Sequence, residues 1–199
     1  MERFDNVSLS TKLAAMPARL MLAFVCAVAS RQLCNYERHA PRLNRAGDQR
    51  PREIAAQIWA IVHGMPVVRV SWQATLDEVE QILPKEDTDW VWHALADDAV
   101  MSLAYAIECV LGGGSDQATW AAQHAYAAAD QAVIRILYAD SDVERDEEAL
   151  LSHEWVQREL GRQRRDLDLL RAGAIDDVQQ LSQVEEHLTD AEWASISLA

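Results

Sequence analysis

At 199 residues the chain is long enough for one domain with a sizeable core, and a domain of this size buries roughly 70% of its unfolded surface. Half of its residues are apolar, Gly and Pro are scarce, and the net charge is −14, which together exclude a disordered chain and make an extended polyanion a poor partner. Cys26, Cys34 and Cys109 have no CxxC spacing and no histidines placed for zinc, so a disulfide scaffold and a zinc module are excluded too, and a reducing cytoplasm is the expected setting.

The start, MERFDNVSLSTK, lacks the basic and apolar sequence of a secretory signal. Ser10 is placed to cap a first short helix, and Pro17 suits the first turn of a second. That second helix, MPARLMLAFVCAVASRQL and onward to about His39, is apolar nearly all round, as a central buried helix must be. Its longest strictly apolar run, Leu20 to Ala29, has ten residues, whereas crossing a bilayer takes about 20, so no membrane span is expected. After a polar loop, Pro51 opens a third helix that closes at Gly64. GMPVVRV reads as an extended connector with room for one short strand. A fourth helix is expected from Ser71 to the approach of Pro84, followed by the acidic loop KEDTD.

The fifth helix runs from Trp90 to Leu111, with Trp92, Ala96, Ala99, Leu103, Ala106 and Val110 on one core-facing stripe. The triglycine at 112–114 stops it, and an alanine-rich sixth helix continues to Tyr138. Beyond the acidic linker ADSDVERDEE, a seventh helix occupies HEWVQRELGRQRRDLDLLR, with Val156, Leu160, Leu167 and Leu170 lining its buried face. The segment from Ile175 onward is acidic, and Thr189 with Glu192 has the spacing of a capping box for a short terminal helix. The expected architecture is therefore an all-α, single-domain bundle of about seven helices over residues 1–172, with an acidic extension at 173–199.

Charge is divided unevenly along the chain. Residues 1–52 carry nine Lys/Arg against four Asp/Glu, and residues 53–199 carry nine against twenty-eight. In the seventh helix Arg158, Arg162, Arg164, Arg165 and Arg171 stand among Glu154, Glu159, Asp166 and Asp168. The spacing predicts intrahelical pairs Glu154 with Arg158, Arg162 with Asp166 and Arg164 with Asp168, each contributing about 0.2–0.5 kcal/mol. Arg158, Arg162 and Arg165 also share a face, which leaves open a carboxylate or phosphate on a partner.

Three stretches, FVCAVASRQLCNYERHA (24–40), DWVWHALADDAVMSLAYAIECVL (89–111) and HEWVQRELGRQRRDLDLLR (153–171), resemble the bacterial YjaG-like family of helical proteins of unknown function. In the first, Arg31, Asn35 and Tyr36 match, while Ser30 and Cys34 stand where Glu and Pro are usual. In the second, Val91 or its neighbour and His93 depart from the pattern. The resemblance spans about residues 10–172 and implies an all-α fold with no known activity or catalytic residues.

Two sets of residues are candidates for function. His93, Asp97 and Glu108 lie within about 60° of one another around the fifth helix, and Asp98, Ser102, Tyr105 and Cys109 form a second stripe. A buried carboxylate needs a partner or a proton, and Arg31 and Arg135 are the expected partners of Asp97 or Asp98, as structural ion pairs or as an interhelical polar pocket. The chain contains no Glu-x-x-His; His93 and Asp97 with His124 could hold one metal, but packed or solvated histidines are the commoner case, and neither a metal nor a cofactor is expected. No nucleophile elbow and no Cys-His pair is visible. Among seven tryptophans, Trp59, Trp92 and Trp120 are expected in the core. Trp72, Trp90 and Trp155, with Asp87, Asp89, Glu147 and Glu148, form a candidate protein-binding surface. These features favour a non-enzymatic, acidic helical protein that binds a basic protein, such as an immunity protein that neutralises a toxin or a regulatory adaptor. Nucleic acid and membrane are not expected partners. The alternative is a small-molecule binder or enzyme using the interhelical polar pocket.

Overall fold

Pro17 fixes the backbone just ahead of the longest apolar segment, and from there helix α2 (Ala18–His39) runs through the middle of the molecule. Every residue from Met21 to Tyr36 is buried, which explains why this helix has no polar face to show. Pro41 tightens its end into a 3-10 turn (Ala40–Leu43), and Asn44 in the left-handed region at φ 56° stops the chain. In this computed structural model the described residues are 1–82, 90–138 and 145–198. Around α2 stand α1 (Asn6–Ala14), α3 (Arg50–Val62), α4 (Arg69–Val79), α5 (Trp90–Val110), α6 (Ser115–Tyr138), α7 (Glu147–Ser152), α8 (Glu154–Arg171), α9 (Ile175–Val184) and α10 (Asp190–Leu198). Helices α3, α5, α6, α8 and α9 all pack directly on α2.

The α5–α6 hairpin is closed by the triglycine. Gly112 adopts φ 106°, and a Cβ on Gly113 would lie 2.9 Å from the Glu108 carbonyl oxygen, so side chains are excluded at this turn. Ala118, Ala121, Ala122, Ala125, Ala128, Ala129 and Ala132 are buried along α6, and their small size lets its backbone approach α5 and α2 closely. The apolar core has two lobes. The larger surrounds α2, and the smaller joins Trp92, Leu95, Ala129 and Val133 to Trp155, Val156, Leu188 and Ile196.

Several expectations are corrected. Ten α-helices, rather than about seven, occupy the described residues. Asp5, not Ser10, caps α1 by accepting from the Ser8 amide at 2.9 Å, while the Ser10 hydroxyl reaches Ser115 and Asp116 on α6. GMPVVRV forms no strand: α4 begins within it at Arg69, and Val68 and Val70 stay exposed. The fourth helix ends at Val79, earlier than Pro84 suggested. The acidic C-terminal residues pack back on the bundle, because Val178, Leu188 and Ile196 are buried. Their final helix has the expected capping box, with the Thr189 amide donating to Glu192 at 2.8 Å and the Glu192 amide donating to Thr189 at 3.3 Å. The loop KEDTD and residues 139–144 of the acidic linker lie outside the described residues.

Charge is also buried here. Arg31 of α2 and Asp166 of α8 meet at 2.7 Å with both side chains fully excluded from solvent. The contact is off the linear hydrogen-bond direction, so it is carried by charge. Removing one partner leaves the other as an unpaired buried ion, whereas removing both does not. Asp166→Ala should therefore lose about 3–5 kcal/mol in urea unfolding followed by circular dichroism, and Arg31→Met combined with Asp166→Leu should recover most of that loss. A single substitution that costs no more than the double one would show that the pair is not charge-coupled.

Candidate functional site

Spacing of three and four places Arg158, Arg162 and Arg165 on one face of α8. That face is covered by residues 185–192 of the same chain. Arg158 donates to both Glu192 oxygens at 2.6 and 2.8 Å and to the His187 carbonyl at 3.1 Å. Arg165 holds both Glu185 oxygens at 2.7 Å, and Arg162 approaches Glu185 at 3.6 Å. From α2, Arg38 reaches Glu186 at 2.8 Å, Asp190 at 2.7 Å and the Leu188 carbonyl at 2.9 Å. Arg164 pairs with Glu2, and Arg171 with Asp168. None of the three expected intrahelical pairs forms: Asp166 turns inward to Arg31 and Arg165, and carboxylates outside α8 take Arg158, Arg162 and Arg164. Two of the covering carboxylates titrate accordingly. Burial alone would raise Glu185 and Glu192, but the hydrogen bonds and charge of Arg165 and Arg158 outweigh it and leave both below the usual range. His187 lies beneath, fully buried; its ring contacts Asn35 at 3.2 Å and the Ala125 carbonyl at 2.9 Å, and desolvation holds its pKa down so that it stays neutral.

Elsewhere in the bundle the polar residues of α5 separate. Asp97 is exposed, Glu108 and His93 are half-buried, and the His93 ring stands edge-on to His39 at 5.6 Å. Asp98 is 5% exposed, and its partner is His124 of α6, whose Nδ1 lies 2.6 Å away. Gln131 donates to the other Asp98 oxygen at 3.4 Å. Burial raises the Asp98 pKa, and the His124 contact only partly counters it. The expected partners are thus corrected: Arg31 belongs to Asp166, and Arg135 makes no ion pair with another described residue. Asp98, Tyr105, Trp120, Gln123, His124, Ala127 and Gln131 line a cleft of about 530 Å³. Among the described residues no three His, Cys, Asp or Glu side chains converge as metal ligands. Burial pushes all three thiols up, Cys109 to about 12, so none is a ready nucleophile.

The candidate protein-binding residues are dispersed. Trp72 and Trp155 are buried at 7% exposure each, because both lie on the inward side of their helices, so neither offers an aromatic face to a partner. Asp87, Asp89 and the Trp90 side chain lie outside the described residues. Glu147 and Glu148 are exposed in the first turn of α7, beside the helix cap Asp146. Trp120, expected in the core, is instead 44% exposed. The pairing of His124 with Asp98, the place of Gln131 and the exposure of Trp120 are what sequence reasoning missed.

A family model described as "Protein of unknown function (DUF416)" matches residues 8–199. The chain belongs to this family. A crystal structure of a DUF416 family protein from Shewanella baltica OS155 has a similar fold, with a TM-score of 0.72 and 17% identity over 87% of this chain and 92% of that one. Comparison with curated protein sequences gives no match. In this DUF416 chain the residues that carried the sequence likeness, Arg31, Asn35 and Tyr36, are all buried, and the Tyr36 hydroxyl donates to Asp48 at 2.8 Å. They serve packing and hydrogen bonding within the fold.

Because Glu185 and Glu192 have lowered pKa values in the folded chain, their contribution is complete above the ordinary value of 4.5 and is lost as pH falls through the folded values. Unfolding titrations of the parent and of a Glu185→Gln, Glu192→Gln variant should differ fully at pH 7 and converge as the pH drops below about 4.5. A stability gap independent of pH would rule out these ion pairs as stabilising contacts.

Proposed function

We propose that this DUF416 chain is a non-catalytic binding protein that engages a basic protein in the cytoplasm, with a toxin or a regulatory target as the candidate partner, and that it stands with the YjaG-like members of its family. One observation carries the reading: the five arginines of α8 are all engaged by carboxylates of the same molecule, so the net charge of −14 is expressed outward. Asp146, Glu147, Glu148 and Glu154 are exposed around α7 and supply an acidic face for basic side chains. No helix of the described residues is long and apolar enough to cross a membrane. A second reading, a small-molecule binder, is favoured by the Asp98–His124 cleft between α5 and α6.

Immobilised protein incubated with a host extract at low and then high salt tests the first reading. A basic protein should be retained at low ionic strength and released by salt, and a Glu147→Lys, Glu148→Lys, Glu154→Lys variant should bind it at least tenfold more weakly with unchanged thermal stability. Retention unaffected by salt and by the charge reversals would defeat the proposal.

A further inference from the structure

The cleft between α5 and α6 combines three properties. Its volume of about 530 Å³ falls within the roughly 300–1,000 Å³ of small-molecule sites. Its walls are aromatic. Tyr105 and Trp120 stand with ring centroids 5.5 Å apart and planes inclined at 53°, and the His124 ring lies 5.7 Å from Tyr105. An indole 44% exposed beside seven buried alanines of the same helix is held at the surface by its position, not by lack of an apolar core to enter. The third property is the sign of its charge. No lysine or arginine lines the cleft, whereas Asp98 forms its floor, Asp97 is near enough to act on Asp98, and Glu108 acts on Tyr105. Anions are repelled by this field, and the π-faces of Tyr105 and Trp120 add negative potential where a cation would lie.

The hydrogen bonds fix the direction of recognition. An ionised carboxylate only accepts, so Nδ1 of His124 donates to Asp98, and Nε2 is the ring nitrogen left to accept from a ligand when the imidazole is neutral. Gln131 occupies the second Asp98 oxygen, which keeps the carboxylate from swinging away. A ligand for this arrangement must bring N–H donors and positive charge. We infer that the cleft is a binding site for a small organic ammonium compound, whose cationic head rests on the faces of Tyr105 and Trp120 and donates to His124, with its apolar body over Ala127. The inference is independent of the basic-protein reading, since the acidic residues around α7 are not part of the cleft lining.

Titration of the ¹⁵N-labelled protein with tyramine, agmatine and methylammonium, each up to about 10 mM, tests it. The Trp120 indole N–H, identified by its loss in Trp120→Ala, should shift saturably with ammonium probes and remain still with 4-hydroxyphenylacetate, the anionic counterpart of tyramine. Loss of one cation–π face is worth about 0.5–2 kcal/mol, so Trp120→Ala, a substitution at an exposed position that leaves the core intact, should weaken binding by about 2- to 30-fold, read from amides of Gln123 and Gln131. Asp98→Asn should weaken it as well. No saturable shift at Trp120 with any ammonium probe, equal response to the anion, or shifts confined to another face would each overturn the proposal.

Discussion

A charge taken out of water must find an opposite charge, and Arg31 forces that requirement on the whole molecule. It sits on the central helix α2 with its side chain sealed, so α8 has to bring Asp166 to it, and the two helices cannot slide past one another without stranding an ion. Asp166 is shared with Arg165, Arg165 reaches Glu185, and Glu185 lies in the connector between α9 and α10. One buried pair is thereby linked to the last stretch of the chain. Nε and Nη2 of Arg31 find no acceptor among the described residues, which argues that the pair selects an arrangement of helices more than it adds to stability.

The C-terminal residues are held twice. Leu188 and Ile196 complete the smaller core lobe, while Glu185, Glu186, Asp190 and Glu192 take Arg38 of α2 and Arg158, Arg162 and Arg165 of α8. The two modes depend on each other: the apolar contacts exclude water from the ion pairs, and the ion pairs fix the register in which Leu188 meets the core. His187, buried between them and neutral, satisfies Asn35 and the Ala125 carbonyl at a place where a charged ring would be an added cost.

What the sequence displayed was periodic or local. The apolar circumference of α2, the stripe on α5, the triglycine stop and the capping box of α10 are all set by neighbours within a few residues, and these could be read directly. Long-range pairing could not. Asp166 lies four residues from Arg162, and local spacing assigns it there, yet its true partner is 135 positions away in sequence and on the opposite side of the α2–α8 contact. Asp97 and Asp98 are about 100° apart on one helix, and only the placement of α6 decides that Asp98 is the buried one. One signal was available: in a helical hairpin closed by a tight turn, residues roughly equidistant from that turn meet, which brings Tyr105 to Trp120, Ser102 to Ala121 and Asp98 to His124. Proximity of a tryptophan to a helix end, by contrast, said nothing about exposure, as Trp72, Trp155 and Trp120 show.

Both proposed surfaces are acidic, although they share no lining residue. Arginines consumed inside the molecule leave acids in excess outside, and a field of that sign draws cations of any size. Selection between them then falls to shape. The exposed carboxylates around α7 stand beside a cavity of about 440 Å³ that Arg3 and Arg145 also line, so a single compact cation is disfavoured inside it and the carboxylates suit the many weak contacts of a basic protein surface, each screened by salt. The α5–α6 cleft has a buried carboxylate locked by two hydrogen bonds and two aromatic walls, so it suits a single compact charge, and its contacts, being partly desolvated, should be screened less. Ionic strength therefore separates the two surfaces: the first loses its partner as salt rises, and the second keeps most of its ligand.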